Sequence, residues 1–148
     1  MSDGACRCGK TRFEAAGAPL LTMACHCRGC QQMTSGPFSL SSLYEARNVN
    51  VAGETARGGL KSGPNHSFCP ECMSWLFTVP EGLEDYVNVR SSLFDDAAAH
   101  RPFIECWTSE GLGWGSSGAE RTYATVPGDE EFGELMAAYA AWDGRVKQ

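Results

Sequence analysis

ACHCRGCQQMTSGPF, residues 24–38, places three cysteines, Cys25, Cys27 and Cys30, within six positions. So close a spacing turns sulfurs toward a common ion from a tight loop. A structural zinc site takes four protein ligands, and three sulfurs leave one place unfilled. The flanks read as strands. PLLTMA (19–24) is a short apolar strand that delivers the chain into the loop, and FSLSSL (38–43) alternates large and small side chains. Between them, QQMTSG (31–36) reads as one helical turn ended by Gly36 and Pro37.

Outward from this loop, every patterned segment but one is short and β-like. GACRCGKTRFEA (4–15) is a metal loop running into a strand, with Gly9 relieving the turn after Cys8. NVNVAGE (48–54) repeats the strand alternation, and a glycine-rich connection follows over 56–65. HSFCPECMSWLFTVP (66–80) is strand, knuckle, strand, with Cys69 and Cys72 flanking the turn. EDYVNVRSSL (84–93) has the clearest period of two, with Tyr86, Asn88 and Arg90 on one face and Val87 and Val89 on the other. FIECWTS (103–109) is a further strand and contains Cys106. The exception is the end of the chain, where Phe132, Leu135, Met136, Tyr139 and Trp142 share one helical face. That helix is expected over about 129–143, with Asp129 as N-cap and Gly144 as stop. Many short strands, frequent Gly and Pro and one terminal helix define a mainly β chain. No repeat and no linker divides residues 1–148, so one domain is expected.

A chain of 148 residues can bury a core without covalent staples. No apolar stretch approaches the roughly 20 residues needed to span a bilayer. MSDGACRCGKTRF carries an acid where a secretory signal would be basic, so a cytoplasmic location is expected. The net charge of -6 and pI near 5.0 disfavour nucleic acid and anionic membranes, because affinity there rests on neutralising phosphates. The composition points to a small-molecule or protein partner.

Eight cysteines stand at 6, 8, 25, 27, 30, 69, 72 and 106. Pairs separated by one residue rarely close an unstrained disulfide, so the clustering favours metal over a disulfide scaffold. The groups are C-x-C, C-x-C-x-x-C and C-x-x-C, and seven sulfurs divide as four plus three. Joining the two outer pairs would make a Cys₄ site, leaving the triple with an open position, but spacing alone does not reveal which pairs meet. Thiolate sets suit zinc. An iron–sulfur cluster, which the two outer pairs could also supply with four cysteines, stays open. Zinc held by three thiolates is electron-rich and suited to take a substrate thiol as its thiolate, so chemistry at a carbon–sulfur bond is expected.

Plainer readings stand beside these. His26, Cys106 or another residue could close the triple as a structural site. His26 is expected to point outward. His66 and His100 read as ordinary loop or strand-edge residues, and Cys106 as a buried inert thiol. Trp75, Trp107 and Trp114 read as core aromatics, and Asp95–Asp96 as a solvated turn. GLGWGSSG lacks the lysine of a phosphate loop.

GACRCGKTRFEA, CHCRGCQQMTSGPF, FCPECMSWLF, VRSSLFDD and the late Trp114, in that order over residues 4–114, resemble the glutathione-dependent formaldehyde-activating enzyme family. That family includes the centromere-protein-V-like proteins. The resemblance implies a β-tent fold of several small coiled antiparallel sheets carrying two zinc ions. It implies that Cys6, Cys8, Cys69 and Cys72 hold a structural zinc, and that Cys25, Cys27 and Cys30 hold a catalytic one. The implied activity is that of a carbon–sulfur lyase joining formaldehyde to glutathione as S-hydroxymethylglutathione, or the reverse. Two departures stand out: Met73 sits where relatives often place Gly, and Phe103 lies where they carry a histidine-containing strand.

The expected partner is therefore a small thiol such as glutathione. Since glutathione is anionic, Arg28 is a candidate contact. Two rivals remain: a zinc-stabilised interaction module without turnover, and a thiol redox or zinc sensor.

Overall fold

The computed structural model describes residues 1–60 and 62–146. Lys61, within the glycine-rich connection, and residues 147–148 of the expected domain lie outside that description. In chain order the strands are β1 (Ser2–Ala5), β2 (Arg12–Ala15), β3 (Leu21–Cys25), β4 (Ser39–Glu45), β5 (Val49–Ala52), β6 (Ala56–Gly58), β7 (Asn65–Phe68), β8 (Trp75–Val79), β9 (Tyr86–Arg90), β10 (Ile104–Cys106) and β11 (Arg121–Thr122). The helices are α1 (Arg28–Thr34) and α2 (Phe132–Ala141).

The strands make two sheets. One has three strands in the order β1-β2-β5, and the other has eight in the order β11-β10-β3-β4-β9-β8-β7-β6. The fold is mainly β, as the sequence patterns predict. Pairing is antiparallel except at β10, which runs parallel to both β3 and β11. β6 falls inside the segment expected to be only a connection.

β4 lies near the middle of the larger sheet and is buried along most of its length. Its small serines let both neighbours approach, and Ser42 Oγ meets Ser91 Oγ at 2.9 Å and His100 Nδ1 at 2.7 Å. His100 does lie in a loop, directly after the 3₁₀ turn Ala97–Ala99, but it is no ordinary loop residue. Its ring is buried, stacked on Phe94 at 4.2 Å, with Asp96 Oδ1 3.2 Å from Nε2. A buried imidazole needs partners on both nitrogens, and this one has them.

Phe13 and Ala15 of the small sheet pack on Tyr44, Val87, Val89 and Phe94. Gly4 of β1 permits this contact: a Cβ there would overlap the Phe13 ring and the Leu93 carbonyl. A second core joins Leu135 and Tyr139 of α2 to Leu21, Leu43, Phe103 and Ile104. Phe103 is therefore buried under α2, with Tyr139 and Trp142 rings at 5.7 and 5.2 Å. The helix boundaries differ from those expected. Asp129 sits inside a 3₁₀ turn, Asp129–Glu131, and Gly128 N–H donates to Glu131 Oε2 at 2.7 Å. The helix stops at Trp142, two residues before Gly144, where the backbone becomes extended. Trp114 is no core residue; it is 77% exposed.

Candidate metal centres

Two turns bring the outer cysteine pairs together. Cys6 and Cys8 lie between β1 and β2, and Cys69 and Cys72 lie between β7 and β8. All four sulfurs fall within 4.8 Å of one another. Cys6 Sγ is 3.4 Å from Cys8 Sγ, and Cys8 Sγ is 3.8 Å from Cys69 Sγ. Tetrahedral zinc with bonds of ~2.3 Å needs sulfur–sulfur edges of about 3.8 Å, so the donor set fits such an ion. The knuckle is closed by Met73 N–H donating to Cys69 O at 2.9 Å, with Met73 in the left-handed region at φ 56°. That conformation explains why glycine suits the position. Hydrogen bonds from the Ser74 side chain and backbone N–H pull the Cys72 thiol down to about 5.

The triple is built at the junction of β3 and α1. Cys25 ends the strand, Cys27 caps the helix by accepting Cys30 N–H at 3.4 Å, and Cys30 lies in the first turn. The helix begins at Arg28, three residues before the expected turn, because this cap starts it. The three sulfurs lie within 4.8 Å of one another, and no other His, Cys, Asp or Glu among the described residues joins them. Hydrogen bonding from Cys25 brings the Cys30 thiol down to about 6, with Ser39 and the Arg90 charge aiding it against burial. Its partner Cys25 is correspondingly raised.

The chain thus carries one cluster of four sulfurs and one of three. The family model described as "Glutathione-dependent formaldehyde-activating enzyme" matches residues 1–110. The chain belongs to this family.

The match to this formaldehyde-activating family spans both of the chain's cysteine clusters and ends before α2. A solved structure of a Rhodobacter sphaeroides protein is similar at 15% identity, over 63% of this chain and 87% of that one, with a TM-score of 0.49. Comparison with curated proteins found no match.

Around the triple of this family member, the two residues that might have closed the site are both turned to other uses. His26 does not point outward. It is buried, its Nε2 is 2.9 Å from Glu105 Oε2, and its ring lies against Phe38. Glu105 also accepts from Ser117 Oγ at 2.6 Å and Thr122 Oγ1 at 2.9 Å. Cys106 sits opposite Cys25 in the β10–β3 register but outside the sulfur group. Burial and the Glu105 charge push its thiol up to about 12, in keeping with an inert residue.

Arg28 is exposed at the start of α1. Its backbone N–H donates to Glu110 Oε2 at 2.7 Å and its Nη1 to Gln31 Oε1 at 2.7 Å. Another cation, Arg90, is buried; burial lowers its guanidinium pKa, and negative charge on Cys30 and Cys25 opposes that. In the sequence Arg90 only shares a strand face with Tyr86 and Asn88, and nothing in that alternation marks it as a site residue. A cavity of about 330 Å³ adjoins the site, lined in part by Met33, Phe38, Ser39, Trp75 and Arg90. A second depression of about 290 Å³ lies at Glu45–Arg47, Asp85 and Tyr86; neither lining includes a cysteine, and the first meets the triple through Ser39, which stands opposite Cys25 in the β3–β4 register.

Proposed function

We propose that this chain is a zinc-dependent carbon–sulfur lyase acting on a small thiol adduct, such as S-hydroxymethylglutathione formed from glutathione and formaldehyde. The observation that carries the reading is the three-sulfur cluster with no fourth His, Cys, Asp or Glu donor among the described residues, on the sheet face that also carries a cavity lined by the buried cation Arg90. Cys6, Cys8, Cys69 and Cys72 would hold the structural zinc, and Cys25, Cys27 and Cys30 the catalytic one. An ion held by three thiolates supplies a soft Lewis acid that favours the thiolate form of a substrate thiol.

The chain's own residues do the rest. The Cys27 cap and the bonds of Gln31 Nε2 to His26 O (2.6 Å) and Glu110 O (2.9 Å) fix the three cysteines relative to the sheet. The cavity receives the body of the thiol, and Phe38, Met33 and Trp75 limit water around the sulfur. In the forward direction the substrate sulfur bonds to the aldehyde carbon, the carbonyl π pair moves to oxygen, and that oxygen takes a proton. Arg28, exposed beside Cys27, is the proposed contact for a glutathione carboxylate at the rim. Among the described residues no helix is long and apolar enough to cross a membrane. All eight cysteines are free of disulfides, which suits a reducing cytoplasm.

Metal counting with and without glutathione tests this reading. The expected result is two zinc ions per chain, one indifferent to glutathione and one whose cobalt-substituted spectrum changes when the thiol is added. A second site saturated and unresponsive to thiol would leave an interaction module in place of an enzyme.

A further inference from the structure

Arg90 is a buried cation without a carboxylate. Its side chain is 7% exposed, and none of the ion pairs among the described residues includes it. Its Nη2 donates only to neutral acceptors, Asn88 O at 3.2 Å and Thr78 Oγ1 at 3.5 Å, and its Nε has no oxygen or nitrogen partner. The guanidinium lies 4.0 Å from the Trp75 ring centroid, which softens its desolvation but supplies no countercharge. A guanidinium taken out of water with no opposing charge is strongly unfavourable.

Sheet register shows where the countercharge lies. Cys25 stands opposite Ser39, and Ser41 stands opposite Arg90. Paired residues project to the same face and positions two apart share it, so Cys25, Ser39, Ser41 and Arg90 lie on one face across β3, β4 and β9. Ser39 Oγ, buried beside Cys25, likewise has no oxygen or nitrogen partner. Of the five buried side-chain atoms left unpartnered among the described residues, two therefore belong to donors on the face of the sulfur cluster.

We infer that Arg90 is the countercharge of the three-cysteine cluster, a positioning residue whose guanidinium, with the Ser39 hydroxyl, lets an anionic sulfur set accept a further substrate thiolate. The inference rests on the reading of the triple as a thiol-accepting metal site. Three thiolates around a divalent ion already carry net negative charge, and a fourth adds to it. Arg90 offsets that addition in a place where water screens little. A thiol taken up there would give its proton to solvent and leave its sulfur anionic on the face of Arg90 and Ser39. Nothing is oxidised or reduced.

The test uses cobalt(II)-loaded full-length protein as wild type, Arg90→Gln, Arg90→Lys and Ser39→Ala, read by sulfur-to-cobalt charge-transfer absorption. The titrants are 2-mercaptoethanol, which has no carboxylate, and neutral imidazole. Arg90→Gln is expected to weaken cobalt at the triple by about tenfold or more, the usual scale for groups that support metal ligands. Cobalt at the four-cysteine site stays as in wild type and reports that the variant is folded. Thiol affinity falls with the charge, imidazole affinity changes much less, Arg90→Lys recovers most of the loss, and Ser39→Ala loses a smaller part. The inference is overturned if Arg90→Gln holds cobalt and thiol like wild type, if thiol and imidazole weaken equally, or if Lys is no better than Gln. Should Arg90→Gln not fold, thiol affinity near wild type in Arg90→Lys with a partial loss in Ser39→Ala supports the inference, and any other pattern overturns it. A wild-type triple that takes cobalt but ignores thiol sinks the lyase reading, and the cobalt affinities then judge Arg90 alone.

Discussion

His26, the residue between two cluster cysteines, meets Glu105 across the β3–β10 pair, with Nε2 2.9 Å from Oε2. The carboxylate also accepts from Ser117 and Thr122, so one acid ties β10, β11 and the 115–118 loop to the metal-binding turn. These hydrogen bonds hold the Glu105 pKa below the ordinary carboxylate value, although its burial pushes the other way.

Glu105→Ala leaves an imidazole and two hydroxyls without their shared acceptor. The expected loss is about 1–3 kcal/mol of stability, the scale for removing a charged hydrogen-bond partner. Urea unfolding of the metal-loaded protein measures it. An unchanged midpoint would mean these hydrogen bonds contribute nothing to holding the turn.

His100 makes stability pH-dependent. Burial lowers its pKa below the free value of 6.5, against an opposing pull from Asp96. The groups packed around it are Ser42 from β4, Phe94 and Asp96. The unfolded chain therefore binds the proton more readily, so this contribution is complete above pH 6.5 and is lost as pH falls below it. Thermal unfolding of wild type and His100→Gln between pH 7 and 5 should show the stability gap narrowing in acid. A gap that stays constant would show that His100 is not the group responsible.

Met73 holds a left-handed conformation that costs a non-glycine residue about 1–2 kcal/mol. Met73→Gly should raise the unfolding free energy by at most about 1 kcal/mol after the added freedom of the unfolded chain is counted, and the melting temperature with it. Met73→Val should lower it, because a branched Cβ suits that conformation worst. The order Gly above Met above Val is the checkable outcome, and its reversal would place the strain elsewhere.

Cysteine variants separate ligands from bystanders. Cys27→Ser should remove one ion of two and disturb the start of α1, since the same sulfur caps the helix. Cys106→Ala, outside the sulfur group, should leave the metal count at two and lower stability modestly through a small cavity. Elemental analysis of purified protein decides both. Loss of an ion from Cys106→Ala would make that residue the hidden fourth ligand.

Cysteine spacing alone was enough to divide the sulfurs into groups and to call for metal, because one or two intervening residues hold two side chains within reach of one ion whatever the rest of the chain does. The alternation of 86–90 and the apolar stripe of 132–142 were equally local, and both elements formed. Only the tertiary structure brought Cys8 to Cys69, 61 positions away, and Glu105 to His26, 79 positions away. It also decided that Arg90 is buried on the sheet face it shares with Cys25, that His100 is buried, and that Trp114 is not. The reason is physical: short-range geometry follows from covalent reach, whereas strand order, and with it the depth of each side chain, follows from how distant apolar faces cover one another.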